Sequence, residues 1–344
     1  MKLTSHLTES GPRAGVLADD QIIDAGDLLG IPSPIRDVLD LIACGPDVLA
    51  RLAELLDRPH SAKRRPLQGA RLLAPIRQPP SVRDHVAFEE HATRQFTRTI
   101  ADVWYRRPIH YYSNPSRIVG PESHVPVPAT ERLDYELELA AIVGTEAADV
   151  AEADALRYIF GFTILNDWSA RDLLADELAY GLGPAKGKDF ATSLGPWVVT
   201  TDELLSRFRA GVLDLRCAVT VNSATWADSN ACHQVHTWGA MVEHASQDSR
   251  LIPGDIIASG TVGGCSVAEG IRKGFPARYL VPGDRVELSV EGIGTLANTI
   301  VANPHTRPAR YTAKDLPPMP VPLPSPGPAG HARSTTGGET WTSR

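Results

Sequence analysis

The sequence predicts a mixed α+β protein in which strands predominate. Strand patterns fill most of the chain after Leu213, and two of these strands follow similar tripeptides, Pro253-Gly254-Asp255 and Pro282-Gly283-Asp284. Because Pro followed by Gly is favoured at the centre of a type II turn, each tripeptide is expected to lead into a strand. Helical periodicity around residues 84–103 and 150–160 indicates that helices interrupt the strands.

The composition excludes several classes of protein. The chain has 344 residues, 42% of them hydrophobic and 22% charged, as is usual for a globular enzyme with a sizeable core. At about 150 residues per domain, this length suggests two domains. The net charge of −7, without a basic cluster, argues against nucleic acid and against a membrane as partners. With no CxxC pair, signal peptide or apolar span, the protein is expected to be cytoplasmic.

Residues 1–62 are predicted to form a small N-terminal α+β domain. Apolar residues indicate short strands at 14–17 and 21–23, on either side of an acidic turn. A first helix is expected to start at Ser33-Pro34, because Ser caps helices and Pro suits their first position. Apolar residues with helical spacing over 48–56 indicate a second helix.

Two further segments complete the predicted organisation. The polar, basic stretch 58–68 is expected to link the N-terminal domain to a catalytic domain over residues 72–305. Residues 315–344 are rich in Pro, Gly and Ser and have too few apolar side chains to form a core. This tail is therefore expected to be disordered and to take no part in catalysis.

Carboxylates are the strongest candidates for chemistry. Glu136 and Glu138 lie in the strand pattern 133–143, where side chains two residues apart share a face. Two such carboxylates repel each other unless water or a cation lies between them. Two interpretations are open. In the first, the strand is amphipathic and both glutamates face solvent. In the second, which the apolar continuation of the strand suggests, the strand is buried and the pair binds a metal.

Two more acidic residues and a histidine extend this group. Asp167 ends an apolar strand, where it serves either as a helix cap or as part of a site. Asp84 and His91 are seven residues apart, so a helix would place them on one face. Oxygen ligands without cysteine suit Mg²⁺, Mn²⁺ or Ca²⁺. A histidine beside them suits a general base, and a structural role is the alternative.

Several sequence motifs, which occur in the same order as in the fumarylacetoacetate hydrolase family, resemble that family over roughly residues 72–303. The most specific of them is the heptapeptide Asn166-Asp167-Trp168-Ser169-Ala170-Arg171-Asp172. The other matching segments are Arg83-Asp84, Phe88-Glu89-Glu90-His91, Leu133-Asp134-Tyr135-Glu136-Leu137-Glu138, Gly187-Lys188-Asp189-Phe190-Ala191-Thr192, Gly195-Pro196-Trp197 and Ser259-Gly260-Thr261.

The resemblance implies a fold and a set of site residues. The fold would be a β-roll catalytic domain that usually assembles as a homodimer. The site would hold a divalent metal, Mg²⁺ or alternatively Ca²⁺ or Mn²⁺. The implied metal ligands are Asp84, Glu136, Glu138 and Asp167. The implied catalytic residues are His91, its partner Glu269, and Lys188, and the implied substrate-binding residues are Tyr111, Thr192 and Thr261.

The resemblance also implies an activity on a small keto acid. This activity would be hydrolysis of a C–C bond in a 1,3-diketo acid, of the fumarylacetoacetate or acylpyruvate type, through a metal-stabilised enolate. This chain has Leu173-Leu174 where fumarylacetoacetate hydrolase itself has glutamine, so the distal end of the substrate is expected to differ. Other members are decarboxylases, isomerases or hydratases of 2-keto acids, oxaloacetate among them. These activities stay open, as does a non-catalytic binding protein.

Overall fold

Strands of the N-terminal and C-terminal parts of the chain join in one large sheet. The computed structural model describes residues 1–93 and 99–305, and the predicted tail at 315–344 lies outside these ranges. The strands are β1 (Lys2–Thr8), β2 (Gly11–Ala18), β3 (Gln21–Asp24), β4 (Arg64–Pro66), β5 (Leu72–Leu73), β6 (Val82–His85), β7 (His110–Tyr112), β8 (Ile118–Val119), β9 (His124–Pro126), β10 (Leu133–Asp134), β11 (Leu137–Val143), β12 (Ile159–Asp167), β13 (Ser169–Ala170), β14 (Thr192–Thr200), β15 (Phe208–Arg209), β16 (Val212–Leu213), β17 (Arg216–Val221), β18 (Ala224–Asn230), β19 (Ile256–Ala258), β20 (Arg285–Val290) and β21 (Gly294–Val301). The α-helices are α1 (Ala25–Leu29), α2 (Val38–Ile42), α3 (Val48–Leu56), α4 (Glu89–Ala92), α5 (Val103–Arg106), α6 (Arg171–Tyr180), α7 (Thr201–Leu204), α8 (Trp238–Ser246) and α9 (Val267–Arg272).

The large sheet has the order β4-β3-β2-β1-β14-β12-β11-β19-β6-β7, with β5 beside β1 and β8 beside β14. Its central neighbours are antiparallel, whereas β6 runs parallel to β19. A second sheet has the order β18-β17-β20-β21-β9. The two strands expected after the Pro-Gly tripeptides are confirmed as β19 and β20. The β-rich α+β fold predicted from the sequence is confirmed as well.

A hydrophobic core covers each face of the large sheet, and β11 contributes to both. Its residues Leu139 and Ala141 pack in the core that includes the second sheet. Ala140 and Ile142, which alternate with them, pack in the core under the N-terminal helices. Burial on both faces explains why β11 is an almost unbroken apolar run, as is typical of strands at the centre of a covered sheet.

The first 62 residues extend this sheet. The predicted strands at 14–17 and 21–23 are confirmed as β2 and β3, and the predicted helix at 48–56 is confirmed as α3. β1 pairs with β14, so these strands continue the sheet of the C-terminal part. The expected linker contributes β4, which pairs with β3. A domain boundary at residue 62 stays a prediction.

Three helix predictions differ from the structure in position or type. The helix expected to start at Ser33-Pro34 is α2, which begins at Val38 instead, because Asp37 caps it by accepting a hydrogen bond from Asp40 N. The helix predicted around residues 84–103 does not include residue 84, because Asp84 lies in β6, which pairs with β19 and β7. Cross-strand pairing there overrides the local periodicity. The pattern at 150–160 corresponds to a 3₁₀ helix, Glu152–Tyr158. Within residues 1–93 and 99–305, no helix has the length and apolar character needed to cross a bilayer.

Candidate active site and metal centre

The candidate site lies where central strands of the large sheet end. Asp84 in β6 is opposite Tyr111 in β7, and Asp167 is the last residue of β12. Glu138 in β11 is opposite Leu165, two residues before Asp167. Because residues two apart on a strand share a face, Glu138 and Asp167 lie on the same face of the sheet. Strand pairing therefore brings together acidic residues that are far apart in the sequence.

Asp84, Glu138 and Asp167 form a buried acidic cluster. One carboxylate oxygen from each residue lies within 4.8 Å of the others, and all three side chains are buried. Burial raises the pKa of Asp84 and of Glu138 well above the usual range, and repulsion within the cluster raises both further. Asp167 Oδ1 is buried and has no hydrogen-bond partner in the part of the chain that the structure describes.

A divalent cation fits this cluster. Hard oxygen donors that repel one another when ionised are the donor set that Mg²⁺, Mn²⁺ and Ca²⁺ prefer. A cation would offset that repulsion and would give Asp167 Oδ1 a partner. Glu136, the fourth ligand that the resemblance implies, is not among the clustered residues. Its role as a ligand stays a prediction.

Glu136 lies apart from the cluster because it falls in the break between β10 and β11. There it forms an isolated bridge with Ser266 instead of continuing the strand. Its carboxylate contacts Lys188 Nζ and lies 2.6 Å from Nη2 of Arg171. Burial would raise the pKa of Glu136, but the positive charges of Arg171 and Lys188 outweigh it and lower that pKa below its usual range.

Lys188 connects Glu136 to the acidic cluster. Its buried Nζ donates hydrogen bonds to Glu136 and to Asp167. Burial would lower the pKa of Lys188, but the charges of Asp167 and Glu136 outweigh it and raise that pKa above its usual range. The side chain therefore stays cationic and supplies a fixed positive charge at the edge of the cluster.

His91 lies between two carboxylates. Its Nδ1 is 3.2 Å from Glu269 Oε2, and its Nε2 is 3.5 Å from Glu136 Oε1. Burial would lower the pKa of His91, but the charge of Glu269 and the hydrogen bond to it raise that pKa above its ordinary value. An imidazole oriented by a carboxylate on one nitrogen can exchange a proton through the other.

Glu269 is held in place by the start of α9. Ser266 caps this helix, and its hydroxyl donates a 2.8 Å hydrogen bond to Glu269 Oε2. The spacing Ser-x-x-Glu is that of a capping box, a local signal that fixes both side chains at a helix N-terminus. The stretch before Glu269 therefore folds as a helix start that directs the carboxylate to His91.

Arg171 and Asp134 are charged residues of this site that the sequence analysis did not assign. Arg171 Nε donates a 2.8 Å hydrogen bond to the buried Asp134 Oδ2. Asp134 also accepts a hydrogen bond from Val267 N, in the first turn of α9. The signal for Arg171 was available, because it belongs to the heptapeptide that carries the resemblance. Asp134 holds Arg171 against Glu136, so these residues position one another.

The three residues predicted to bind substrate lie in different surroundings. The hydroxyl of Tyr111 donates a hydrogen bond to Asp167 Oδ2 and lies 3.1 Å from Asp84 Oδ2. Thr261 Oγ1 is 3.5 Å from Glu138 Oε1. Tyr111 and Thr261 line the cavity described next, whereas Thr192 does not. Its hydroxyl is 3.4 Å from Ser113 Oγ, so contact between Thr192 and a substrate stays a prediction.

A cavity of about 520 Å³ connects the acidic cluster to the histidine. It is also lined by Leu174 and Leu178 of α6, which make part of its wall apolar. The exposed side chains of Arg132 and Arg272 line it too, and neither forms an ion pair with any residue in the described ranges. The cavity can therefore take a small, partly apolar anion.

The fold and the site define a β-rich enzyme-like protein in which buried carboxylates suited to a divalent cation share a cavity with a histidine–glutamate pair. Residues 81–301 match the model of the fumarylacetoacetate (FAA) hydrolase C-terminal family. The chain belongs to this family, as its motifs predicted.

Relatives within the family differ in reaction. Oxaloacetate tautomerase YisK of Bacillus subtilis is 31% identical over 198 residues, which are 56% of this chain and 61% of the relative. The fumarylacetoacetate hydrolase of Exiguobacterium antarcticum has a TM-score of 0.68 at 26% identity, covering 88% of this chain and all of that chain. The 5-carboxymethyl-2-hydroxymuconate delta-isomerase of Mycobacterium smegmatis has a TM-score of 0.64 at 25% identity, with the same coverage. A hydrolase and an isomerase thus share this architecture, and a tautomerase is similar in sequence.

Proposed function

We propose that this protein is a divalent-metal-dependent hydrolase that cleaves a C–C bond in a 1,3-diketo acid. The observation that carries the proposal is the pair formed by His91 and Glu269, at 3.2 Å, in the cavity that contains Asp84, Glu138 and Asp167. Hydrolysis needs a base to activate water, and a histidine oriented by a carboxylate supplies one. Abstraction or return of a proton on the substrate alone would not need a positioned water.

Each charged residue of the site has a place in this reaction. A divalent cation held by Asp84, Glu138 and Asp167 would supply Lewis-acid polarisation of the dicarbonyl oxygens. His91 takes a proton from water, and the resulting hydroxide adds to the carbonyl carbon. The C–C bond then breaks, its electron pair goes to the neighbouring carbon as an enolate, and that carbon takes up a proton. A carboxylic acid and a 2-keto acid are released.

Lys188 supports the developing negative charge. Its Nζ is buried and remains protonated because two carboxylates surround it. A fixed cation in a site of low polarity stabilises an oxyanion more than it stabilises the neutral carbonyl, which lowers the barrier. Arg171 holds Glu136 from the opposite side, at 2.6 Å, and so keeps the carboxylate near His91 in one orientation.

The two unpaired arginines favour a substrate with a second carboxylate. Arg132 and Arg272 line the same cavity as the acidic cluster and have no carboxylate partner within residues 1–93 and 99–305. A guanidinium binds a carboxylate through paired hydrogen bonds. We therefore expect a fumarylpyruvate-type diacid to bind better than acetylpyruvate, and Arg272→Gln to reduce that preference by raising KM for the diacid alone.

A second candidate function is tautomerisation, isomerisation or decarboxylation of a 2-keto acid. It is favoured by the similarity to oxaloacetate tautomerase YisK, which extends over 56% of the chain. An enolate of the same kind would form, and His91 would transfer a proton to or from carbon rather than from water.

The experiment that separates these candidates follows the enol absorbance of acylpyruvates, fumarylpyruvate and oxaloacetate with Mg²⁺ or with EDTA. The proposal expects Mg²⁺-dependent bleaching of a diketo acid with two carboxylic products, identified by chromatography. Consumption of oxaloacetate with pyruvate and CO₂ as products, or enol–keto exchange without cleavage, would assign the second candidate. Bleaching that is equally fast in EDTA would contradict a metal-dependent reaction of either kind.

A further inference from the structure

A second cavity, of about 290 Å³, opens on the N-terminal strands and shares no lining residue with the catalytic cavity. It lies over residues of β1 to β4 that alternate with those of the core under the N-terminal helices. Ala14 and Ile23 belong to that core, whereas Arg13 and Ile22 line the cavity. The cavity is therefore on the face of the sheet that is turned away from these helices.

The floor of this cavity is closed by tight packing around a glycine. A Cβ on Gly15 would lie 2.4 Å from Ile22 Cγ2 and 3.4 Å from Cε1 of His6. Because Gly15 has no side chain, Ile22 and His6 can approach the backbone here. The cavity thus has a shaped floor made of an aliphatic side chain and an imidazole.

Its walls carry positive charges that are poorly neutralised. Arg13 donates hydrogen bonds to neutral groups of its own hairpin, and its Nε is 3.9 Å from the carboxylate of Asp24. Lys63 also forms only a long ion pair, with its Nζ 3.8 Å from Asp27 Oδ2. Arg65 has no ion pair with any residue that the structure describes. Asp24 also caps α1 through its other oxygen, which accepts a hydrogen bond from Asp27 N.

His6 is the polar group at the floor that lacks a partner. The residue is 2% exposed, and its Nδ1 is buried without a hydrogen bond to any residue in the described parts of the chain. Burial, together with the charges of Arg65 and Arg13, lowers the pKa of His6 to about 4. Arg65 and Arg13 place positive charge near this imidazole, and a bound anion would offset that charge.

We propose that this cavity binds a compact oxyanion, the phosphate or carboxylate group of a small metabolite. Arg13 and Arg65 would donate charge-assisted hydrogen bonds to it, and the Nδ1–H of neutral His6 would donate a third. Glu9 and Asp24 also line the cavity, so its surplus of positive charge is small. A group with one or two negative charges therefore fits better than a polyanion.

The test titrates the full chain with inorganic phosphate and, separately, with acetate, by calorimetry at constant ionic strength set with chloride. The matched variants are Arg65→Gln and Arg64→Gln, because Arg64 is the neighbour on β4 and does not line the cavity. We expect saturable binding of one anion by the wild type and by Arg64→Gln, and at least tenfold weaker binding by Arg65→Gln. The anion that binds identifies the group.

The histidine gives an independent readout if Arg65→Gln does not fold. Bound anion would shift the Cε1–H resonance of His6, assigned by comparison with His6→Gln, and would raise its pKa from about 4. Equal affinities of the two arginine variants, or no saturable binding of either anion by the wild type, would overturn the proposal. So would binding that leaves the His6 resonance unchanged.

Discussion

The proposed role of Glu269 can be tested with one nearly isosteric change, Glu269→Gln. The substitution keeps the capping box, because Gln replaces Glu at that helix position. It removes the negative charge 3.2 Å from His91 Nδ1. Charge-assisted hydrogen bonds contribute about 1.5–3 kcal/mol and neutral ones about 0.5–1.5 kcal/mol, so the imidazolium formed in catalysis loses roughly 1–1.5 kcal/mol. We expect kcat to fall by about tenfold from the charge alone.

The loss of orientation adds to this effect. The amide can present either its oxygen or its NH₂ to Nδ1, and the second choice selects the wrong tautomer of the base. The total decrease in kcat is therefore expected to lie between roughly 10-fold and 1000-fold, while KM stays within about threefold because Glu269 acts through His91. Enol bleaching at saturating Mg²⁺ and substrate measures both constants.

The matched control for this experiment is Glu90→Gln. Glu90 is next to His91 in the sequence and pairs with Lys273 just after α9, at 2.8 Å, so its variant removes a nearby charge without changing the histidine's partner. The control is expected to keep kcat within about twofold, since half-exposed ion pairs contribute little. Wild-type kcat in Glu269→Gln, with full metal content, would refute the assignment. So would an equal loss in Glu90→Gln.

Three further predictions follow from buried charges. Asp84→Asn is expected to weaken Mg²⁺ binding by at least about tenfold, measured by calorimetry, and to raise the melting temperature of the metal-free protein, because it relieves repulsion in the cluster. An unchanged Mg²⁺ affinity would contradict the metal site. Arg83→Met is expected to lower the free energy of unfolding, measured with urea, by about 3 kcal/mol. The reason is that the buried Asp255 Oδ2 loses its ion pair with Arg83 Nη1, at 3.2 Å. A loss below about 1 kcal/mol would show that the pair is not needed. Because the pKa of His6 is lowered to about 4, neutral His6 stabilises the fold above its ordinary pKa, and this contribution is lost as pH falls from about 6.5 to 4. In His6→Gln, the decrease in the free energy of unfolding between pH 6.5 and 4, measured with urea, should be smaller by roughly 1–2 kcal/mol than in the wild type. The same pH dependence in the variant and the wild type would contradict this prediction.

Local sequence signals located much of the site. The alternation around β11 and the apolar run into Asp167 are short-range patterns, and each gave a strand with a carboxylate near its end. The heptapeptide that carries the family resemblance spans the end of β12 and the start of α6. Residues such as Asp167 could be assigned because the chemistry and the strand boundary coincide in the sequence.

Other features depended on contacts between distant segments. The seven-residue spacing of Asp84 and His91 suggested a helix, but pairing with β19 and β7 makes the first residue part of a strand. Glu136 and Glu138 looked equivalent in one strand pattern. Because the strand is interrupted before β11, the carboxylate of Glu136 pairs with Lys188 and Arg171, whereas that of Glu138 lies in the acidic cluster. No periodicity along one segment can show such a break, because it depends on the partner of each backbone group.

The sequence by itself determined the strand-rich α+β class, the family and the acidic character of the site, because residue type and short-range spacing are sufficient for these. Only the tertiary structure decided which carboxylates lie together and that Arg171 and Asp134 belong to the site. It also revealed the basic cavity around His6, whose residues come from different strands. The physical reason is that charge interactions depend on distance in space and on burial, and strand pairing between remote segments sets both.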